Sequence, residues 1–207
     1  KKESGELNHT HNDSYILYPT LDDKDFNEKI FNKKEFNINK SKKIDETLNL
    51  EQLVDKLCTF NLSSNQKFLK TYISTNTPYN GLLLFHGTGV GKTCSSISIA
   101  ENFKDVLMET NKKITVLLNP SIKANFIKNI FNIEKLKELK TILKGKRNIE
   151  EGVNLEDVYD TLSGCTKSEY LKEANINNSQ LVKDPKYIDI ISNKINKIIR
   201  NRYQFYG

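Results

Sequence analysis

What the 207-residue chain lacks narrows its class before any motif is considered. No apolar stretch approaches the roughly 20 residues that a bilayer-spanning helix needs. Nothing at the start resembles a basic n-region followed by an apolar h-region, so no membrane partner and no secretory leader are expected. Cysteine is scarce: Cys58, Cys94 and Cys165 are odd in number, far apart and without a CxxC pair, which points to a reducing compartment, cytosolic or nuclear, and against a zinc site. Charge of one sign is not dominant either. The 32 Lys and Arg against 26 Asp and Glu leave a formal +6, compatible with a polyanionic partner but spread along the chain. Heavy use of Lys, Asn and Ile is economically explained by an AT-rich coding genome. The chain opens on Lys1-Lys2 rather than methionine and reads as cut from something longer.

A further absence concerns catalysis. Nucleotide hydrolysis needs an acidic residue at the end of a buried strand to complete a Mg²⁺ shell, and usually an arginine to stabilise the charge that develops at transfer. No apolar run here ends in Asp-Glu. The stretch NLEDVYD, residues 154–160, has the acids without the buried run before them. Arg147, Arg200 and Arg202 supply arginines that nothing in the sequence places near a phosphate. A phosphate cradle in this chain would therefore be only half a catalytic site, and the isolated chain is expected to bind nucleotide poorly and turn it over negligibly.

What is present is concentrated in NTPYNGLLLFHGTGVGKTCSSISIA, residues 76–100. Leu82-Leu83-Leu84-Phe85 reads as a short strand buried on both faces. Gly87, Gly89 and Gly91 then allow a curl whose N–H groups converge, with Thr88 and Val90 between them, and Lys92 to about Phe103 reads as the following helix. Its positive N-terminal end faces the same anion. In this arrangement Lys92 reaches the β- and γ-phosphates and the Thr93 hydroxyl holds Mg²⁺, with Cys94 completing the loop. The strict phosphate-loop pattern wants glycine where this chain has His86, which reads as a strand-end spacer against the alternatives of ligand or base.

Upstream, residues 1–14 read as a disordered tail with His9 and His11, and 15–47 as an N-terminal extension with Phe26, Ile30 and Phe31 at helical spacing. Residues 48–73 suggest two short helices, the second capped by Ser63 or Ser64. Gln66, 26 residues before Lys92, either reads adenine through its amide or is simply solvated. Downstream, Ile114–Leu118 reads as a second strand, stopped by Asn119-Pro120-Ser121. Ser121 is expected to cap a helix whose face is Ile122, Phe126, Ile127, Ile130 and Phe131. The order strand, helix, strand, helix is the βαβ progression of a parallel sheet. Residues 144–207 read as a helical insertion. In its last helix Tyr187, Ile191, Ile195 and Ile198 either pack as a stripe or, with Lys194, Lys197, Arg200 and Arg202, clasp a nucleic-acid backbone.

SSNQKFLKTYISTNTPYNGLLLFHGTGVGKTCSSISIAENF resembles the superfamily 2 helicases of large nucleocytoplasmic DNA viruses, a group that includes the poxvirus early transcription factor small subunit and nucleoside triphosphate phosphohydrolase. That group writes its phosphate loop H-x-x-G-x-G-K-T, so His86 becomes a family feature. The likeness extends to YPTLDDKDFNEKIFNKKEFN, to VLLNPSIKANFIKNIF, and to GCTKSEYL and YQFYG. It implies an α/β P-loop NTPase: an incomplete RecA-like lobe over 48–143, a parallel sheet with flanking helices, beside a mostly helical extension and insertion and short of the acidic box. It further implies ATP and Mg²⁺ as cofactors, phosphate binding by Gly87 to Thr93 and an adenine role for Gln66. Asn119, Pro120 and Ser121 fall on a loop that touches a nucleic-acid backbone, DNA ahead of RNA. A viral RNA polymerase or other transcription proteins are implied as partners, and the virion and host cytoplasm as location. Two rivals stay open, a nucleotide or polynucleotide kinase and a non-enzymatic subunit that uses ATP as a structural ligand.

Overall fold

A computed structural model describes residues 17–40, 62–85, 87, 89–138, 164–176 and 187–207. The expected tail over 1–14, the first of the two helices over 48–61, His86, Thr88 and the acids of 154–160 lie outside the described residues. In chain order the elements are α1 (Phe26–Asn32), α2 (Lys34–Asn37), α3 (Ser64–Tyr72), α4 (Lys92–Glu101), α5 (Lys104–Thr110), β1 (Ile114–Leu117), α6 (Pro120–Ile130), α7 (Glu169–Glu173), α8 (Tyr187–Arg202) and β2 (Tyr203–Tyr206).

The extension is held by aromatic side chains. Ile30, Phe36 and Tyr79 are buried, with Tyr18, Phe26, Phe68 and Tyr72 packed against them. The Tyr72 and Tyr79 rings stack at 4.4 Å, and Tyr79 donates its hydroxyl to the Pro19 carbonyl at 2.8 Å. Residues 17–40 are thereby fastened to α3 and to the segment that leads into the glycine loop. Of the helical trio expected in α1, Ile30 is buried, whereas Phe31 lies half-exposed with its ring stacked on Phe68 at 6.2 Å.

The sheet differs from expectation. β1 pairs in parallel with β2, Ile114 opposite Tyr203 through Leu117 opposite Tyr206, and the Leu118 N–H continues the ladder to the Tyr206 carbonyl at 3.0 Å. YQFYG, expected within a helical insertion, is therefore a strand. Leu82–Phe85, expected to be a buried strand, has no ladder partner among the described residues, and Leu83 and Phe85 are 87% and 94% exposed. A strand exists only through its neighbours, and none of the described residues pairs with this segment. An apolar groove of about 450 Å³ runs beside this segment, lined by Leu82, Leu84, Ile99, Phe103 and Ile114. The parallel pair flanked by helices is a partial α/β arrangement.

The principal core joins α4, α6, α7 and α8. Ile97, Ile130, Ile191 and Ile195 are each fully buried there, together with Phe131 and Tyr170. Each such isoleucine contributes roughly 2 kcal/mol by leaving water. α8 packs as a stripe through Ile188, Ile191, Ile195 and Ile199, rotated by one residue from the expected face at both ends. On α6 the buried end is Ile130, while Ile122, expected on the same face, is half-exposed. The cap of α6 is Asn119 rather than Ser121: its side chain accepts the Ser121 N–H at 3.0 Å, and Pro120 occupies the first helical position, where no N–H is needed.

GCTKSEYL, residues 164–171, ties this core together. Gly164 has φ 86°, and a Cβ there would fall 2.8 Å from the Asn129 carbonyl oxygen, so only glycine fits. Cys165 donates its N–H to that carbonyl at 2.8 Å, and Thr166 its hydroxyl to the Ile130 carbonyl at 2.7 Å. The end of α6 is thus capped by the turn before α7. Cys165 is also disulfide-bonded to Cys94 of α4, contrary to the unpaired reading of the cysteines. Their separation of 71 residues hides a contact made by laying 164–168 across α6 beside α4.

A buried charge network fixes the far end of α4. Arg202 donates to Glu101 at 2.6 Å and to both carboxylate oxygens of Glu173 at 2.7 Å, while the hydroxyls of Tyr170 and Tyr203 each donate to Glu101 at 2.6 Å. Burial, reinforced by the Glu101 carboxylate, pushes both phenols well above their ordinary range, so they remain donors. Burial opposes the charge on Arg202, but Tyr170, Glu101 and Glu173 outweigh it and raise its pKa. Arg202, among the basic residues read as a possible nucleic-acid clasp, is 6% exposed and committed internally. Arg202→Met should leave two carboxylates without their cation and destabilise the chain by about 3–5 kcal/mol. A denaturant midpoint within experimental error of the parent chain would contradict this.

Candidate nucleotide-binding site

The glycine loop curls where its sequence requires. Gly89 and Gly91 both adopt left-handed backbone, φ 80° and 83°, and Gly91 is the N-cap of α4. At Gly91 the constraint is double, because an added Cβ would also stand 2.7 Å from Gln66 Nε2. Lys92 and Thr93 follow as the first two helical residues, with Lys92 exposed and Thr93 half-buried. Val90 is exposed at the loop tip. The first turn of α4 contains no acidic residue, so its N–H groups and positive dipole end are not opposed by a carboxylate of the same turn.

The Gly91 carbonyl is the point where loop, helix and α3 meet. It accepts the Ser95 N–H at 3.0 Å, the Ser95 hydroxyl at 3.2 Å and the Gln66 side-chain amide at 3.3 Å. Ser95 is fully buried and Gln66 nearly so. Gln66 is held in turn by a reciprocal capping box: the Ser63 N–H donates to Gln66 Oε1 at 2.9 Å, and the Gln66 N–H to Ser63 Oγ at 3.2 Å. Each end of the amide keeps one further hydrogen-bonding site after these contacts. Gln66 is thus a buried structural residue tying α3 to the glycine loop, a role that neither sequence reading of it included.

The remaining residues expected at the site are placed as follows. Gly87 is exposed, with open space around its Cβ position. Cys94 is half-buried in its disulfide. Asn119, Pro120 and Ser121 are exposed at the start of α6, where the Asn119 side chain accepts both the N–H and the hydroxyl of Ser121. α4 packs between α3 and α6, so the glycine loop and this cap belong to one packed unit. Among the described residues there is no group of three or more His, Cys, Asp and Glu side chains able to hold a metal ion. A cation carried on the phosphates and touching only Thr93 is compatible with that, because Mg²⁺ ordinarily retains waters and phosphate oxygens as ligands.

Sequence reasoning missed Ser95 and the Glu101 network. A serine three residues after Lys92 in a run of small helical residues gives no sign that it returns to the loop carbonyl. Glu101 looks like an ordinary exposed helix-end acid until Arg202, 101 residues later, comes beside it.

Parts of the chain are similar to viral proteins provisionally named helicases. Over 119 residues the chain is 40% identical to a protein of Acanthamoeba polyphaga mimivirus provisionally named an ATP-dependent RNA helicase, covering 55% of this chain and 10% of that one. A second mimivirus protein with the same provisional name is 49% identical over 61 residues, 30% of this chain and 10% of that one. A Frog virus 3 protein provisionally named a helicase is 51% identical over 41 residues, 20% of this chain and 4% of that one. The chain spans about a tenth or less of the length of these relatives. No family model and no solved structure matches it.

Gly91→Ala is expected to destabilise the chain by about 1–3 kcal/mol, because it meets both a left-handed backbone and the Gln66 amide. Gly87→Ala, in open space, should stay within about 0.5 kcal/mol. Equal losses in parallel urea titrations would disprove the Gly91 contact. Chain homologues are helicase-related proteins of mimivirus and an iridovirus, large nucleocytoplasmic DNA viruses.

Proposed function

We propose that the chain forms the phosphate-binding part of an ATP-dependent, nucleic-acid-stimulated helicase or translocase acting in viral transcription or replication. The observation that carries this reading is the left-handed loop closing at Gly91 and delivering Lys92 and Thr93 onto the first turn of α4. The likeness to the poxvirus transcription factor and phosphohydrolase group belongs to it, supported by the Gly87–Thr93 pattern and by GCTKSEYL. So do the virion and host cytoplasm as location, and viral transcription proteins as partners.

In this mechanism loop and α4 N–H groups cradle the β- and γ-phosphates, and Lys92 adds a point charge that offsets the negative charge developing at the leaving-group oxygen during transfer. The Thr93 hydroxyl would hold Mg²⁺, which would supply charge neutralisation to the phosphates. Gln66 holds the Gly91 carbonyl in place and offers its remaining amide sites to an adenine edge. Asn119, Pro120 and Ser121 meet a nucleic-acid backbone without reading sequence, DNA ahead of RNA; the relatives named for RNA keep that choice experimental.

Glu101 does not supply the catalytic acid, because its carboxylate is consumed by Arg202, Tyr170 and Tyr203. The 207-residue chain should therefore bind ATP weakly and hydrolyse it negligibly. In the full-length parent, Lys92→Ala should abolish nucleic-acid-stimulated hydrolysis. The loss should be at least about a hundredfold, the size that follows removal of a group stabilising transition-state charge. Undiminished turnover in that variant would sink the assignment. Nucleotide protection against unfolding without turnover, even at full length, would favour the non-enzymatic reading.

A further inference from the structure

We propose that Cys94 and Cys165 are a reversible redox site, exchanged by a glutathione-type thiol, whose oxidised form tightens the grip of the glycine loop on a nucleotide phosphate. The second half of this statement rests on the phosphate-binding reading above.

Placement carries the argument. Cys94 is the third residue of α4, directly after Lys92 and Thr93, so the bond acts on the turn that carries the phosphate-binding groups. Cys165 belongs to the turn that caps α6 through Asn129 and Ile130. The cross-link therefore fastens the start of α4 to the end of α6, whereas the loop's fastenings on the Gly91 carbonyl, one from Gln66 and two from Ser95, are hydrogen bonds.

Reversibility follows from the same contacts. The Gly164–Thr166 turn is anchored to α6 by two hydrogen bonds that do not involve sulfur, and the two Cα atoms stand 5.2 Å apart. Reduction leaves the thiols side by side, ready to rejoin. Access is narrow: Cys165 is 7% exposed, and a cavity of about 330 Å³ lined by Ser98, Glu101, Thr166 and Lys167 opens onto it. A small thiol enters such a space and a folded oxidoreductase does not. In the exchange, glutathione disulfide takes two electrons and two protons from the paired thiols. The Cys94–Cys165 sulfur–sulfur bond forms, the bond in glutathione disulfide breaks, and two glutathione thiols leave.

Fixing the first turn of α4 removes disorder that phosphate binding would otherwise have to remove, so the oxidised chain should bind more tightly. The expected gain is about three- to tenfold in Kd. By reciprocity, saturating nucleotide should lower the midpoint potential of the pair by about 15–30 mV, since tenfold corresponds to 29.6 mV for a two-electron couple.

The test equilibrates the 207-residue chain in graded glutathione buffers, maps disulfides by alkylation and mass spectrometry, and titrates each redox form with a fluorescent ATP analogue. The expected result is a Cys94–Cys165 peptide that appears and disappears reversibly, survives Cys58→Ser, and accompanies the stated gain in affinity. Cys165→Ser should bind like the reduced chain in every buffer; the untouched wild-type chain supplies the same comparison should the variant fold poorly. Failure to recover a Cys94–Cys165 peptide at any potential overturns the proposal. So does a Kd equal within twofold in both forms while Lys92→Ala abolishes binding, which leaves the loop reading intact. A pair that titrates normally in a chain that binds no nucleotide in either form overturns the coupling by way of the loop reading itself.

Discussion

The buried ion pair between Glu101 and Arg202 is the constraint from which the arrangement of the other elements follows. Glu101 is the last residue of α4 and Arg202 the last of α8, immediately before β2. Two carboxylates, one guanidinium and two phenols satisfy one another in a space from which water is largely removed, so none of them tolerates the loss of its partners. Their convergence fixes where α8 ends. That sets the register in which Tyr203–Tyr206 meets β1, and thereby the direction in which β1 delivers the chain to Asn119.

At the opposite end of α4 the solution is different in kind. The helix begins on a glycine whose carbonyl gathers three neutral donors, with one covalent link at Cys94, the third residue of the helix. The charged network sits at the helix C-terminus, away from the positive end of the helix dipole. α4 is in effect a rod clamped at both ends by chemistries that do not compete.

The parts legible in the sequence were those encoded locally. Ser63, one of the two caps offered, caps α3, and α4 begins at Lys92, the expected start of that helix. Pro120 marks the start of α6, although the choice between Asn119 and Ser121 as cap turned on which side-chain oxygen reached an amide first in space. The isoleucine stripe of α8 was legible as a stripe but not in phase, because Ile188 and Ile199 are decided by what they face. What escaped was non-local: the disulfide, the Glu101 network and the pairing of YQFYG with β1 all join residues more than 60 positions apart. Leu82–Phe85 failed for the converse reason, its composition being strand-like while no described neighbour pairs with it.

That last segment has a consequence for handling the molecule. Gly81–Phe85 is extended, uncharged and free of proline, with two large side chains almost wholly in water and an apolar groove alongside. Those are the attributes of a segment that recruits a strand from whatever polypeptide comes near.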